Sequence, residues 1–329
     1  MRSEFVFEEA PFASAHASTI AETAEGLVAA WFGGPYEGHA EVAIWLAREA
    51  EGRWSAPAAV ARGVDRFGRA QPCWNPVLHQ VKSGPLLLFY KVGPSPRRWW
   101  GMLCSSDDGG STWSAPRRLP RGILGPIKNK PVALPEGGIL CPSSTEHLGW
   151  RVHLERTPDL GSTWQKTGPL NAWRALGAIQ PCILTWPGGR MQILCRTRQR
   201  VIADCWSADG GHSWSRMTAT ALPNPDSGID AVALQDGRAV LVHNPSREAR
   251  TPLSLAVSAD GRAWRNSLVL EDAPGEYSYP AIIQGDDGSL HITYTWNRRR
   301  IRYVRVAPDE LQGEGGRSGG LGLAGVVTG

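Results

Sequence analysis

Side chains able to do chemistry recur at two fixed phases of this sequence. Entering a series of short apolar segments stand His16, Gln71, Trp74, Asn75, Lys128, Asn129, Lys130, Gln180, Asp226, Asp230, Glu276, Tyr277 and Tyr279. Following the next apolar segments stand Glu37, His39, Lys91, Glu146, His147, Arg196, Arg198, Asn244, Arg247, Trp296 and Arg298. Arg and Lys neutralise carboxylates, and Arg does so with two parallel hydrogen bonds. Tyr serves as nucleophile or base, and Glu as proton donor or acceptor. Each residue alone has a plain structural reading: Arg198 and Arg298 as solvated rim charges, His16 beside small residues as a satisfied histidine. Together they describe a pocket for a carboxylate or another anion.

What must position them is a repeat. Ser106-x-Asp108-x-Gly110-x-Thr112-Trp113 recurs as Thr157-x-Asp159-x-Gly161-x-Thr163-Trp164 and as Ser207-x-Asp209-x-Gly211-x-Ser213-Trp214. A shorter form is Ser258-x-Asp260-Gly261-x-x-Trp264, and a worn form ends at Gly52-Arg53-Trp54. The Trp positions are separated by 59, 51, 50 and 50 residues. Asp and Ser/Thr side chains bond nearby backbone N–H groups in tight turns, Gly takes positive φ, and Trp packs between sheets. The motif is therefore a hairpin staple with no catalytic role. An EF-hand would need regular Asp spacing and a closing Glu, which are absent.

Short strands keep step with the staples. They open at 18–20, 75–77, 130–132, 180–182, 230–232 and 279–281, and their partners lie at 27–32, 86–90, 139–141, 191–195, 239–243 and 290–294. Units of about 50 residues hold four antiparallel strands, the size of a propeller blade. The fold class expected is all-β, a six-bladed propeller over 1–310 with a Gly-rich disordered tail over 311–329. A strand around residues 4–8 is expected to join the sixth unit, which has no staple of its own. If staples join strands three and four, they mark one face, and the chemistry-bearing residues gather on the other.

Composition agrees and narrows the function. The chain has 15 Trp and 38 Gly, with 20% charged residues, which suits many tight turns and aromatic plugs. A net charge of +4 argues against bulk nucleic-acid binding. No secretory leader and no membrane span are read, so a cytoplasmic location is expected. The six Cys show no CxxC or zinc spacing and read as free buried thiols. The eight His are scattered, and no phosphate loop or dinucleotide fingerprint occurs, so neither metal nor cofactor is expected.

The staples make the chain resemble the sialidase superfamily, in particular bacterial BNR-repeat proteins of the predicted-neuraminidase type, over about residues 10–306. That resemblance implies three arginines clamping a sugar carboxylate, a Tyr nucleophile assisted by a Glu, and an Asp acid/base, an exception to the two-carboxylate scheme of most glycosidases. Arg196, with Arg198 nearby, matches the second clamp arginine and Arg247 the third. Tyr277-Ser278 resembles the nucleophile segment, and Glu37 lies near the acid/base position. Two places depart. The first-blade arginine is replaced by the stretch from His16 to Thr19, and the Glu partner of Tyr by Gln180, an amide that cannot accept the phenol proton.

Three functions remain open at this level. The first is an exo-glycosidase for a terminal acidic sugar, recognised by Arg196, Arg247 and Lys128 or Lys130. In it, Tyr277 or a carboxylate attacks, Glu37 or Glu146 protonates the leaving group, and Glu276 or Glu146 activates the Tyr. The second is β-elimination from a uronate by His16, His147 or Tyr277. The third is a non-catalytic carbohydrate-binding propeller. Asn75, Lys91, Arg198, Gln180, Asp230, His147 and Tyr279 are expected to line the binding surface in each case.

Overall fold

Each staple closes a hairpin between the third and fourth strands of an antiparallel sheet, four-stranded in blades two to five and five-stranded in blade one. The computed structural model describes residues 1–147 and 149–311. Ser106 Oγ accepts from Gly110 N at 2.8 Å and donates to Asp108 Oδ1, and Asp108 in turn accepts from Thr112 N at 2.8 Å and Thr112 Oγ1 at 2.6 Å. The same bonds recur at Thr157–Asp159–Thr163 and Ser207–Asp209–Ser213. These hydrogen bonds hold the Asp108 and Asp159 carboxyls down to about 2. Gly161 sits at φ +101, a value its side-chain-bearing neighbours avoid.

Six blades follow in chain order. Their inner strands are Ser14–Thr23, Cys73–Gln80, Val132–Ala133, Ala178–Thr185, Asp230–Ala233 and Tyr277–Gln284. Adjacent blades enclose six apolar clusters, one at each interface around the ring. Strands buried on both faces need unbroken apolar runs, and the second strand of blade one, Gly26–Gly34, is buried at every position after its first. All six cysteines are free and buried in these layers.

Blade six explains its missing staple. Its fourth strand is Arg2–Phe5, which pairs antiparallel with Arg300–Val306, Arg2 opposite Arg305 and Phe5 opposite Arg302. The hairpin a staple would tie does not exist there. The strand lies slightly earlier than the 4–8 expected. At the other end, Leu311 is fully buried against blades five and six rather than part of a tail. The remainder of the expected tail, 312–329, lies outside the described residues.

Candidate active site

Four inner strands break register at the same place. The pairing skips between His16 and Thr19, Trp74 and Val77, Ile179 and Cys182, and Ser278 and Ala281. Within each skip one residue adopts positive φ: Ala17 at 56°, Asn75 at 38°, Gln180 at 54° and Tyr279 at 52°. A bulge ejects a residue from the ladder and re-aims its side chain. For a residue with a Cβ that conformation costs roughly 1–3 kcal/mol, strain that clusters at functional sites.

Tyr279 becomes the hub of the face opposite the staples. Its phenol oxygen accepts from Arg196 Nη1 at 3.0 Å and from Gln180 Nε2 at 3.3 Å. Its ring lies 5.5 Å from the Arg196 guanidinium, 5.8 Å from that of Arg250 and 6.0 Å from Lys128 Nζ. The His16 ring stands beside it, centroids 4.3 Å apart. Arg196 also pairs with Asp226 at 3.3 Å, while Glu276 joins Arg250 at 2.8 Å to Arg298 at 3.0 Å and accepts from Ser278 Oγ at 3.0 Å. Buried atoms at this hub lack partners, namely His16 Nδ1 and Gln180 Oε1. Polar atoms seldom stay buried and unpaired unless a ligand or water completes them.

The electrostatics divide the titratable groups. Burial drives the His16 imidazole well below its usual range, and the charges of Arg298, Arg250, Arg196 and Lys128 push the same way. It is therefore a neutral ring in a cationic basin. Burial alone would raise the Glu276 carboxyl, but the hydrogen bond and charge of Arg298 and the charge of Arg250 overcome it, and the net movement is down. Glu276 is a fixed anion. Glu146 and Asp226 move up: burial dominates the opposing charge of Arg196 at both, and the Asp226 charge adds to the rise at Glu146. Two carboxyls that hold protons more tightly than usual thus flank Arg196.

Several expected roles change. Tyr277 is 2% exposed and packs in the apolar cluster between blades five and six, against Trp296, so it does not face the pocket; the bulge gives that position to Tyr279. Arg247 is exposed, and its place is taken by Arg250. The reason is local. Asn244 Nδ2 ties Pro252 O at 2.9 Å to Tyr277 O at 3.0 Å, and Tyr277 N bonds Arg250 O at 2.9 Å, stitching the end of that loop beside Tyr279. Lys91 is fully buried and props the chain entering blade three through Pro126 O, so it does not line the pocket. Burial brings its ammonium down to about 7.

Lys130 and Asp230 also lose their binding roles. They form an ion pair at 2.9 Å across the axis, and Asp230 Oδ2 accepts from Ile282 N at 3.0 Å. Lys128 lies beneath Tyr279, held by Asn129 Oδ1 at 2.8 Å, Ile229 O at 3.0 Å and Pro280 O; burial lowers it to about 8. These groups link blades three, five and six as an axle. Asn75 is buried in its bulge, its carbonyl 3.5 Å from Lys91 Nζ. Glu37 pairs with Arg298 on the rim, Arg198 stacks over Trp150 at 4.7 Å, and His147 is exposed further out. Of the expected set, His16, Gln180, Arg196, Glu146, Glu276 and Tyr279 meet at or beside the hub. Arg250 went unweighed in the sequence, while Asp226 and Arg298 stood there among the convergent positions without an assigned role.

The comparisons agree on a six-bladed propeller with the sialidase-like fold. Residues 25–292 match the family model described as BNR repeat-like domain, and the chain belongs to that family. No curated protein matches it in sequence. Among solved structures it is similar to a protein of unknown function from Dyadobacter fermentans, 17% identical with TM-score 0.77, covering 92% of this chain and 97% of that one. It is also similar to the NanB sialidase of Streptococcus pneumoniae, 12% identical with TM-score 0.76, covering 94% and 71%. A third is the intramolecular trans-sialidase of Ruminococcus gnavus in complex with oseltamivir carboxylate, 13% identical with TM-score 0.74, covering 91% and 95%.

Proposed function

We propose that the protein is a glycosidase acting on a terminal acidic sugar, with Tyr279 as the attacking group. The observation that carries this reading is the convergence of Arg196, Arg250 and Lys128 on the Tyr279 ring, beside buried polar atoms without partners. The guanidiniums supply the clamp for a carboxylate. Arg196 already donates to the phenol oxygen, so charge developing there meets a fixed cation, and the neutral His16 ring beside it takes up the phenol proton as the oxygen attacks. Glu146 or Asp226, both inclined to hold a proton, donates it to the departing oxygen. His16 takes the place of the first-blade arginine, so the clamp is weaker on that side. The similarity to sialidases lends the reading support at the level of fold.

One observation favours elimination from a uronate instead. His16 is neutral and its Nδ1 is unpartnered, the state a base needs beside an arginine-bound carboxylate. The deciding experiment is a product-resolved screen of sialosides and uronides with the full chain and with Arg250→Ala. Hydrolysed sugar, released at least about tenfold more slowly by the variant at low substrate, supports the glycosidase; an unsaturated uronate product supports elimination. No turnover of any acidic glycoside by the wild type refutes both.

A further inference from the structure

Outward from the hub, a cleft of ≈ 370 Å³ runs between blades two and three on the same face. Its walls come from the loop after the second strand of blade two, the chain leaving that blade, and the edge of blade three. Trp99 and Trp100 form one side. Arg97, Arg118, Arg121 and Lys166 surround them, and among the described residues no Asp or Glu lines the cleft. The Arg118 guanidinium stacks on Trp100 at 4.6 Å, leaving its edge free to donate. The cleft volume falls in the range of small-ligand sites, roughly 300–1,000 Å³.

We propose that this cleft is a second binding site that holds an anionic sugar unit, sulfated or carboxylated, on the leaving-group side of the bond. The inference rests on the reading of the hub as an acidic-sugar site. Three features favour a glycan. Indole faces pack against the C–H faces of sugar rings, and Trp99, unlike Trp100 under Arg118, carries no stacked cation. Lys166 is held by Gly122 O at 3.1 Å and Glu155 at 4.0 Å, but Arg97, Arg118 and Arg121 have no carboxylate partner in the cleft and call for an anion for charge complementarity. Continuity supplies the third: His147 in the cleft wall follows Glu146, whose carboxyl feels both Arg97 of the cleft and Arg196 of the hub. One chain of sugars therefore spans both.

The site makes a separable prediction, because Arg97 and Arg121 are exposed and lie away from the Tyr279 hub. Titration calorimetry on the full chain would use a chondroitin sulfate tetrasaccharide, with chitotetraose as neutral control and a short single-stranded DNA as a charged non-glycan control. The expected result is binding of the sulfated tetrasaccharide at least about tenfold tighter than the neutral one, weakened about tenfold or more in Arg97→Ala/Arg121→Ala, as charge-assisted contacts are removed. Affinity should also fall with added salt. Arg250→Ala should retain most of this binding while turnover at the hub falls at least about tenfold at low substrate. Binding unchanged in the double variant, no preference over chitotetraose, or equal binding of the DNA would overturn the proposal. Absence of turnover with intact, Arg97- and Arg121-dependent binding would instead overturn the reading of the hub.

Discussion

The assignment of Tyr279 over Tyr277 can be tested by removing one oxygen from each. In Tyr279→Phe the lost oxygen leaves Arg196 Nη1 and Gln180 Nε2 without the acceptor they meet at 3.0 and 3.3 Å. A hydrogen bond to a charged group contributes about 1.5–3 kcal/mol and a neutral one about 0.5–1.5. Tyr279 is itself half-buried, so water can replace its phenol beside both donors and the low ends apply, about 2 kcal/mol in all. A melting-temperature fall of a few degrees, about 4 °C or less per kcal/mol, follows for a chain of this size. Loss of a nucleophile is far larger, about ten-thousandfold in kcat or ~5.5 kcal/mol. Tyr277→Phe keeps its ring between blades five and six and should leave the rate within about threefold, since it touches no reacting group. Turnover of 4-methylumbelliferyl acidic glycosides, with a melting curve for each variant, separates the two effects. A fluorinated acidic sugar should become covalently attached to Tyr279 itself, located by fragment-ion sequencing of the peptide that also carries Tyr277. Wild-type turnover by Tyr279→Phe, or an inactive and stably folded Tyr277→Phe, refutes the assignment.

Three further outcomes follow from the geometry. Arg250→Ala should raise KM for an acidic substrate by about tenfold or more while Arg247→Ala changes it little, because only Arg250 stands at Tyr279; equal effects in steady-state kinetics would contradict the site. Lys130→Ala strands the buried Asp230 charge and should cost about 3–5 kcal/mol in urea unfolding, with much of it recovered in Lys130→Met/Asp230→Leu. Acid should destabilise the fold through buried neutral histidines. Burial brings His243 down to about 4 and His16 well below its usual range, so below pH 6.5 the unfolded chain binds protons that the folded one refuses. Stability is then complete above pH 6.5 and declines as pH falls toward 4, by about 2 kcal/mol at pH 5 from His243 alone. Urea midpoints at pH 8 and pH 5 check this, and His243→Phe should flatten the dependence.

Much of the ring was legible in sequence because its staples are local. Ser106, Asp108, Gly110 and Thr112 settle their hydrogen bonds among themselves, so spacing alone reports the hairpin. The staples also set the phase, which placed His16, Gln180, Arg196 and Tyr279 on one rim. Finer assignments depended on long-range facts. Tyr277 and Tyr279 are two residues apart and would share a face in a regular strand. The bulge, held by neighbouring blades, separates them. Choosing Arg250 over Arg247 required the crosslinks made by Asn244 and by the backbone of Tyr277. Lys91 and Lys130 looked like ligand cations because sequence does not show which buried acceptors are already within reach. Blade six lacks a staple for a reason visible only when both ends of the chain are placed.

That sixth blade sets a timetable for synthesis. Arg2 leaves the ribosome roughly 300 residues before Arg305, its partner in the sheet. At about 5–20 residues per second the leading strand stays unmatched for some 15–60 seconds. During that interval the growing chain presents open strand edges at both ends, the kind of surface that recruits a second chain. Sealing of the ring thus reports that translation has reached blade six. A chain released before that point would keep its adhesive edges, available to chaperone and protease alike.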